Sequence, residues 1–457
     1  MQHRYKIFLC IGLSAWIYNN VATAQEQTPA TARNITLKEA INYGLEHHPT
    51  VRIFRLQTLQ AKQVAKEQLS NYLPQVNLSS TLDYNIELQK TVIPEGTFGP
   101  GTPKQIVAFG QKYNASLAGQ ADQQIFNMSL ISGLQANKPN NELARLSEEE
   151  NRQEIIYNIS NAYFQIITIK KQLDLLYANK ERFEKIMRVT SLQSDLGVAK
   201  KVDVKQVQVN LNNVTTQITN LENNLSLAEN QLKNHMGLPV DAQVEIQDFD
   251  TWTEKAEVHF QPQLFNYHNT YSFLKQEKQL ELLSINKRRL RNGIFPVISA
   301  YAQYGYLGFG NSLESVYNPL LDFSKVGLKL SWSLFTGLRR DAQYKQASLD
   351  YDIARINLSF NEQIAGLQFQ NAKLKLSNAN STISLNRQNM ELAREVFDNT
   401  TLQYNEGVAS LAELLNAELS FREAQNNYIN ALVEYYRADL DVQKSNNTLT
   451  EFYNNLK

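Results

Sequence analysis

Two periods of apolar residues divide this chain. Over long stretches the spacing alternates between three and four: Ile159, Ala162, Ile166, Ile169, Leu173 and Leu176 form such a run, the seam of a coiled coil. It predicts a helix from about Met128 to Asp195. About 70 residues between Asn127 and Gly197 would span roughly 105 Å. Pro139 near the start predicts a kink or a delayed start. An earlier helix is predicted over 36–72, opened by a capping box of Thr36 and Glu39 and closed before Pro74. Toward the C-terminus Leu411, Leu414, Phe421, Tyr428, Leu432, Tyr435 and Val442 hold a heptad register that Glu418, Gln425 and Asp439 interrupt.

Four shorter segments alternate with period two, as strands with unlike faces do. In the first, Val76, Leu78, Leu82 and Tyr84 oppose Gln75, Asn77, Ser79, Thr81 and Asp83. In the last, Val326, Leu328, Leu330, Trp332 and Leu334 oppose Lys325, Gly327, Lys329, Ser331 and Ser333. The segments 113–125 and 296–306 alternate more loosely. Lengths of about 10–13 residues suit tilted membrane-crossing strands, apolar toward lipid and polar toward a water-filled lumen. A soluble sandwich would alternate as well. The membrane reading gains from the absence of another apolar layer to cover these strands.

The plan occurs twice. Gly197-Val198-Ala199 with Asp203-Val204 returns as Gly407-Val408-Ala409 with Glu413-Leu414, 210 residues later. Ile125-Phe126-Asn127 returns as Leu334-Phe335-Thr336 at an offset of 209, and Leu73-Pro74-Gln75-Val76 resembles Ile294-Phe295-Pro296-Val297 at 222. The surplus falls in the Gly/Pro-rich segment 94–110, read as a loop insertion. A fixed order at consistent spacing marks an internal duplication. Residues 25–250 form the first repeat and 251–457 the second, with a polar C-terminal tail. Within each, one long helix matches the summed length of two shorter ones, so each repeat builds two columns of equal height. Gly237-Leu238-Pro239 stops the last helix of the first repeat. Residues 240–262, where Val244 and Ile246 alternate, form a small mixed patch beside the columns.

Composition narrows the setting. Of the 457 residues, Lys+Arg and Asp+Glu number 45 each, a balance that names no polyanionic partner. Hydrophobic residues make up 42% and mean hydropathy is −0.41, and no apolar run approaches the roughly 20 residues of a spanning helix. Any crossing of a membrane must then use strands closed into a barrel. Residues 1–24 read as a secretory signal peptide: Arg4 and Lys6 precede the apolar run 7–17, and Ala22-Thr23-Ala24 offers a cleavage site. Cleavage removes Cys10, the one cysteine, and turns 45 against 45 into 43 against 45, a net charge of −2. A lipoprotein reading of Cys10 is weaker, because Leu9 stands where a small residue is expected. Four strands cannot enclose a lumen, for which the smallest outer-membrane barrels use eight. The barrel must be shared between chains, and three chains give twelve strands.

These features together resemble one family, the TolC-like outer membrane efflux proteins. The likeness spans nearly all of the chain after the leader. Its most specific pieces are Gly197-Val198-Ala199 with Asp203-Val204, and Tyr404-Asn405-Glu406-Gly407 with Glu413-Leu414-Leu415-Asn416-Ala417. The resemblance implies a mainly α fold with a small transmembrane β part. It implies a homotrimer whose 12-stranded barrel sits in the outer membrane of a Gram-negative bacterium above an α-helical periplasmic tunnel. It implies passive conduction for an inner-membrane transporter in a tripartite efflux or type I secretion system. A periplasmic adaptor would grip the helix-turn-helix tips at Leu196, Gly197, Val198 and Ala199 and at Glu406, Gly407, Val408 and Ala409. A gate is implied at Asp203 and Tyr404, with an acidic ring at Glu413. The best-known family gate carries an arginine where this chain has Ala409, and a second acid where it has Asn416.

Plainer readings stand beside these. Gly197 and Gly407 would serve as ordinary helix C-caps, and Asp203 and Glu413 as acids at helix N-termini favoured by the macrodipole. Lys287-Arg288-Arg289-Leu290-Arg291 is a single basic run in a neutral exported chain, slender ground for nucleic acid. With Arg339-Arg340 it falls at the inner rim of the barrel, where basic side chains reach lipid headgroups. Gly305, Gly308 and Gly310 follow a strand with no helix after them, which predicts a hairpin tip over a phosphate loop. Ser284-Ile285-Asn286-Lys287 has S-x-x-K spacing without its companion motifs, and no H-E-x-x-H is present. No enzyme, cofactor or metal is expected. The competing class is a non-conducting coiled-coil structural protein, secreted or in the outer membrane.

Overall fold

The computed structural model describes residues 33–97, 99–246 and 265–456. The expected leader, the boundary between the repeats and residues 247–262 of the expected patch lie outside them. The first repeat runs β1 (Arg33–Ile35), α1 (Leu37–His47), α2 (Pro49–Ser70), β2 (Gln75–Tyr84), β3 (Lys90–Ile93), β4 (Gln105–Ala108), β5 (Tyr113–Phe126), α3 (Met128–Leu134), α4 (Asn137–Asp195), α5 (Lys201–Met236) and β6 (Val244–Ile246). The second runs α6 (Tyr271–Asn292), β7 (Val297–Gly310), β8 (Leu320–Ser331), α7 (Arg339–Asn405), α8 (Leu411–Ser445) and α9 (Leu449–Asn455).

One long helix beside two shorter ones recurs in both repeats, with lengths that match in the first and differ by ten residues in the second. In the first repeat α4 has 59 residues beside 22 in α2 and 36 in α5. In the second α7 has 67 beside 22 in α6 and 35 in α8. Contacts set a side-by-side order: α2 with α5, then α4, then α6 with α8, then α7. The predicted seam is the core, since Ile159, Ala162, Ile166, Ile169, Leu173 and Leu176 are all buried in one cluster. Three lysines of the α6–α8 column reach acids on α4: Lys278 to Glu142 at 2.8 Å, Lys275 to Glu150 at 2.6 Å and Lys444 to Glu154 at 2.7 Å. Such partly exposed pairs contribute about 0–1 kcal/mol each, so they set register more than stability.

Several local expectations change. The helix foreseen over 36–72 is two, because Pro49 lacks an N–H and forces His48 out of helical conformation, at φ −61° and ψ 130°. The capping box of Thr36 and Glu39 is present. The delayed start near Pro139 is real: α3 stops at Leu134, and α4 begins two residues before the proline. The loop insertion carries β4, which pairs with β3 just before it. The polar tail is folded, with Leu449 of α9 fully buried and Lys38 donating to the Leu456 carbonyl at 2.6 Å. The glycines read as a hairpin tip lie within β7. There 312–317 folds back so closely that a Cβ at Gly308 would run into the Val316 carbonyl. At Gly237, φ is +76° and a Cβ would meet the His48 Cα at 2.9 Å, which fits the α5 end to the α1–α2 break.

The four long strands form one antiparallel sheet in the order β2-β5-β7-β8. β1 and β6 pair in parallel beside the columns, Ile35 opposite Ile246.

Candidate functional site: the helix tips and the barrel wall

Register decides the faces of the wall, because directly paired residues share a side. Val76 pairs Ala121, Leu78 pairs Gly119 and Leu82 pairs Ala115; Ala121 pairs Ala302, and Ala302 pairs Val326. Ala300 pairs Leu328 and Ile298 pairs Leu330. One mostly apolar face results, interrupted by Ser80, Gln123, Asp322 and Ser324. Val76, Leu78, Val326 and Leu328 on it are 75–84% exposed. Tyr304 and Tyr306 meet at 5.6 Å in the middle of this face, level with Leu78 and Ser80, and Tyr84 and Tyr113 meet at 4.9 Å at one end of it. Interfacial tyrosines belong there in a membrane barrel. The opposite face carries Gln75, Asn77, Thr81, Asp83, Gln120, Asp122, Gln303, Lys325 and Lys329. Trp332 and Leu334, assigned to the lipid-facing strand, lie past its end, since β8 stops at Ser331. The indole N–H of Trp332 instead donates to the Ile294 carbonyl at 3.0 Å, tying the two strand–helix junctions of the second repeat together.

At the far end the two tips are built alike. In the first, Val198 N donates to Gln193 O at 2.8 Å and Gly197 has φ +76°. In the second, Val408 N donates to Gln403 O at 2.8 Å and Gly407 has φ +75°. Each glycine ends its helix in the left-handed region and lets the next amides satisfy the last carbonyls. Leu196, Val198 and Val408 are exposed on the turns, as are Gly197, Glu406 and Gly407, while Ala199 and Ala409 are half-buried.

Both acids singled out near the tips begin helices. Glu413 accepts from Ser410 N at 2.7 Å and from the Ser410 hydroxyl at 3.0 Å, completing a capping box. The backbone bond first, then the hydroxyl, holds its carboxyl below the usual range. Asp203 accepts from Lys200 N at 3.1 Å in the same position of α5. No hydrogen bond joins Asp203 to Tyr404 within this single chain. Tyr404 is 7% exposed, and its phenol lies 3.1 Å from Thr190 Oγ1 and donates to Gln193 Oε1 at 3.1 Å. Its partners are on α4, near the other tip. Asn416 is exposed on α8, and Ala409 packs on the core where the family gate has an arginine.

Above the tips lies a polar cluster that sequence reasoning saw only as interruptions. Glu418 of α8 is 2% exposed, and Gln425 and Asn179 are buried near it along the same helix contact. The Arg182 guanidinium stands 5.4 Å from the Phe397 ring and 5.5 Å from that of Phe421, which stack on each other. Glu418 Oε1, Gln425 Oε1, Asn179 Nδ2 and Arg182 Nε lack hydrogen-bond partners. Burial pushes the Glu418 carboxyl up, against the pull of Arg422 and Arg182. The signal was a local slip in the α4 heptad after Leu176: Asn179 and Ile186 are buried where the seam calls for 180 and 187, while Phe183 and Thr190 stay on register. Among the described residues no three His, Cys, Asp or Glu side chains gather as a metal-ligand set.

A family model described as "Outer membrane efflux protein" matches residues 40–238 and 268–448. The chain is 23% identical over 342 residues to the outer membrane protein TolC of Salmonella enteritidis, covering 73% of this chain and 69% of that one. It is 23% identical over 307 residues to the alkaline protease secretion protein AprF of Pseudomonas aeruginosa, covering 65% and 62%. The crystal structure of the outer membrane protein VceC from Vibrio cholerae superposes with a TM-score of 0.72 at 16% identity, over 90% of this chain and 95% of that one. Paired columns, duplicated tips and a four-stranded wall with one lipid-compatible face accord with these matches: the chain belongs to the outer membrane efflux protein family, and its place is the outer membrane.

Proposed function

We propose that three copies of this chain close into a continuous duct, a 12-stranded barrel above a tunnel of twelve helical columns. Through it, cargo handed over by an inner-membrane transporter and a periplasmic adaptor leaves the cell passively. The observation that carries this reading is that both layers end in open edges on the same two sides. β2 and β8 are the outer strands of the sheet, and each leaves a row of backbone groups unpaired, a liability unless another chain covers it. Beneath β2, Ile53, Leu56 and Leu59 are exposed on α2; beneath β8, Leu349, Ile353, Ile356 and Phe360 are exposed on α7 at heptad spacing. One rotation that sets α2 of a copy against α7 of the next also joins β2 to β8. Because the interface is head-to-tail, a closed ring is the way to leave no edge.

The tips at Leu196–Ala199 and Glu406–Ala409 would receive the adaptor. Tyr404, held to Thr190 and Gln193, would keep the coils packed at the tunnel entrance, with Glu413 exposed beside it. The test is native mass measurement of detergent-solubilised protein, followed by planar-bilayer recording. Three chains per particle and discrete conductance steps support the duct, whereas a stable monomer or a trimer without conductance overturns it.

A further inference from the structure

The basic run at the end of α6 does more than sit at the rim. Lys287, Arg288 and Arg291 project with Ser284 against Tyr344 and Tyr351 of α7, around a cavity of ≈ 350 Å³, within the range of small-ligand sites. The Lys287 ammonium stands 5.7 Å from the Tyr344 ring and 5.6 Å from that of Tyr351. Arg288 is steadied by a 3.0 Å bond from its Nη1 to Gln135 Oε1. Among the described residues no carboxylate pairs with these three cations or lines the cavity, although Asp350 and Asp352 flank Tyr351 in sequence. Three positive charges converging on one hollow, with no carboxylate in its lining, are a site for an anion with several oxygens.

Position says where that anion comes from. Arg291 is the penultimate residue of α6, and β7 with its lipid-compatible face begins at Val297. Lys287 lies five residues before the helix end, about 7.5 Å along the axis. Headgroups fill about 5–8 Å on each side of the hydrocarbon, which long basic side chains reach by snorkelling. Basic pockets between helices at such a depth take phosphate headgroups.

We propose that the cavity between α6 and α7 binds the phosphate headgroup of an anionic phospholipid in the inner leaflet of the outer membrane, once per chain. The inference rests on the membrane placement of the family and not on conduction. The experiment is native mass spectrometry of the solubilised protein titrated with phosphatidylglycerol, phosphatidylethanolamine or inorganic phosphate. Wild type is compared with a Lys287→Gln, Arg288→Gln, Arg291→Gln variant and with a charge-matched Lys185→Gln, Lys201→Gln, Lys373→Gln control. Phosphatidylglycerol should bind at least tenfold more weakly to the triple variant, stay within twofold in the control, and resist displacement by millimolar phosphate. Equal binding by the triple variant overturns the site, and displacement by phosphate overturns the lipid source. Should the triple variant fail to assemble, a photo-crosslinking phosphatidylglycerol on wild type decides. Labels within 284–291 and 339–351 support the proposal, and labels only elsewhere reject it.

Discussion

The phenol of Tyr404, one residue before the end of α7, lies 3.1 Å from the hydroxyl of Thr190 near the end of α4, both enclosed in the core. The same phenol donates to Gln193, so Thr190 is the donor in the first bond. This couples one tip's long helix to the other's. Tyr404→Phe removes the acceptor for a buried hydroxyl and should cost about 1–3 kcal/mol of the packed state. In planar bilayers its open probability should rise severalfold, and Thr190→Val should add little to it. Additive effects of the two changes would mean that the bond is not shared.

Glu413 allows charge to be tested without loss of the cap. Glutamine keeps an oxygen for Ser410 N while removing the negative charge. Three such charges around a narrow opening should favour cations, so Glu413→Gln should lower cation preference and leave trimer stability unchanged. An unaltered preference would move the selectivity ring elsewhere, with Asp203 the next residue to test.

Glu418 should make stability depend on pH. Its folded carboxyl is raised mainly by burial, so the folded state holds the proton more tightly than the unfolded chain does. The cost of ionising it is absent below the ordinary carboxylate range and grows as pH rises through the raised value. Thermal unfolding of the solubilised trimer should therefore weaken with rising pH in that window, and Glu418→Gln should flatten the slope. A slope identical in the variant would assign it to another group, for instance Asp439, which burial also raises.

The strand register predicts a labelling pattern. Cysteines at 325, 329 and 331 should react with a water-soluble reagent, while those at 326, 328 and 330 in membranes should not. An arginine at Leu328 should cost roughly 2–4 kcal/mol if that position is near the midplane. The inverse pattern would shift the register by one residue.

The tip glycines test adaptor contact. No atom lies within 4 Å of a Cβ built at Gly197 or Gly407, so a valine there meets only backbone strain, about 1–2 kcal/mol per residue. A Gly197→Val, Gly407→Val variant should still reach the outer membrane as trimers but lose export in cells. Full export would reject the tip assignment.

The amino-acid pattern alone determined the period-bearing parts: the seam from Ile159 to Leu176, the alternating strands, the duplicated glycine turns and the long helix in each repeat. Each is a local regularity in which side-chain spacing and backbone geometry agree, so no distant contact is needed to read it. Single residues with local force were harder to weigh: Pro49 split a helix that periodicity had carried through to 72. What tertiary structure decided was which side chains meet. Asp203 and Glu413 look alike as gate acids or as caps, and only folding showed both bonded to their own helix starts. Tyr404 finds Thr190, 214 residues away: Thr190 sits on the seam register of α4, but nothing along the chain says that α7 brings Tyr404 against it. Arg182, Phe397, Phe421 and Glu418 come from three helices, and Lys287 meets Tyr344 and Tyr351 only where α6 packs on α7. Such meetings depend on how helices are rotated against each other, and a one-residue slip, invisible to a strict repeat, turns a helix by 100°.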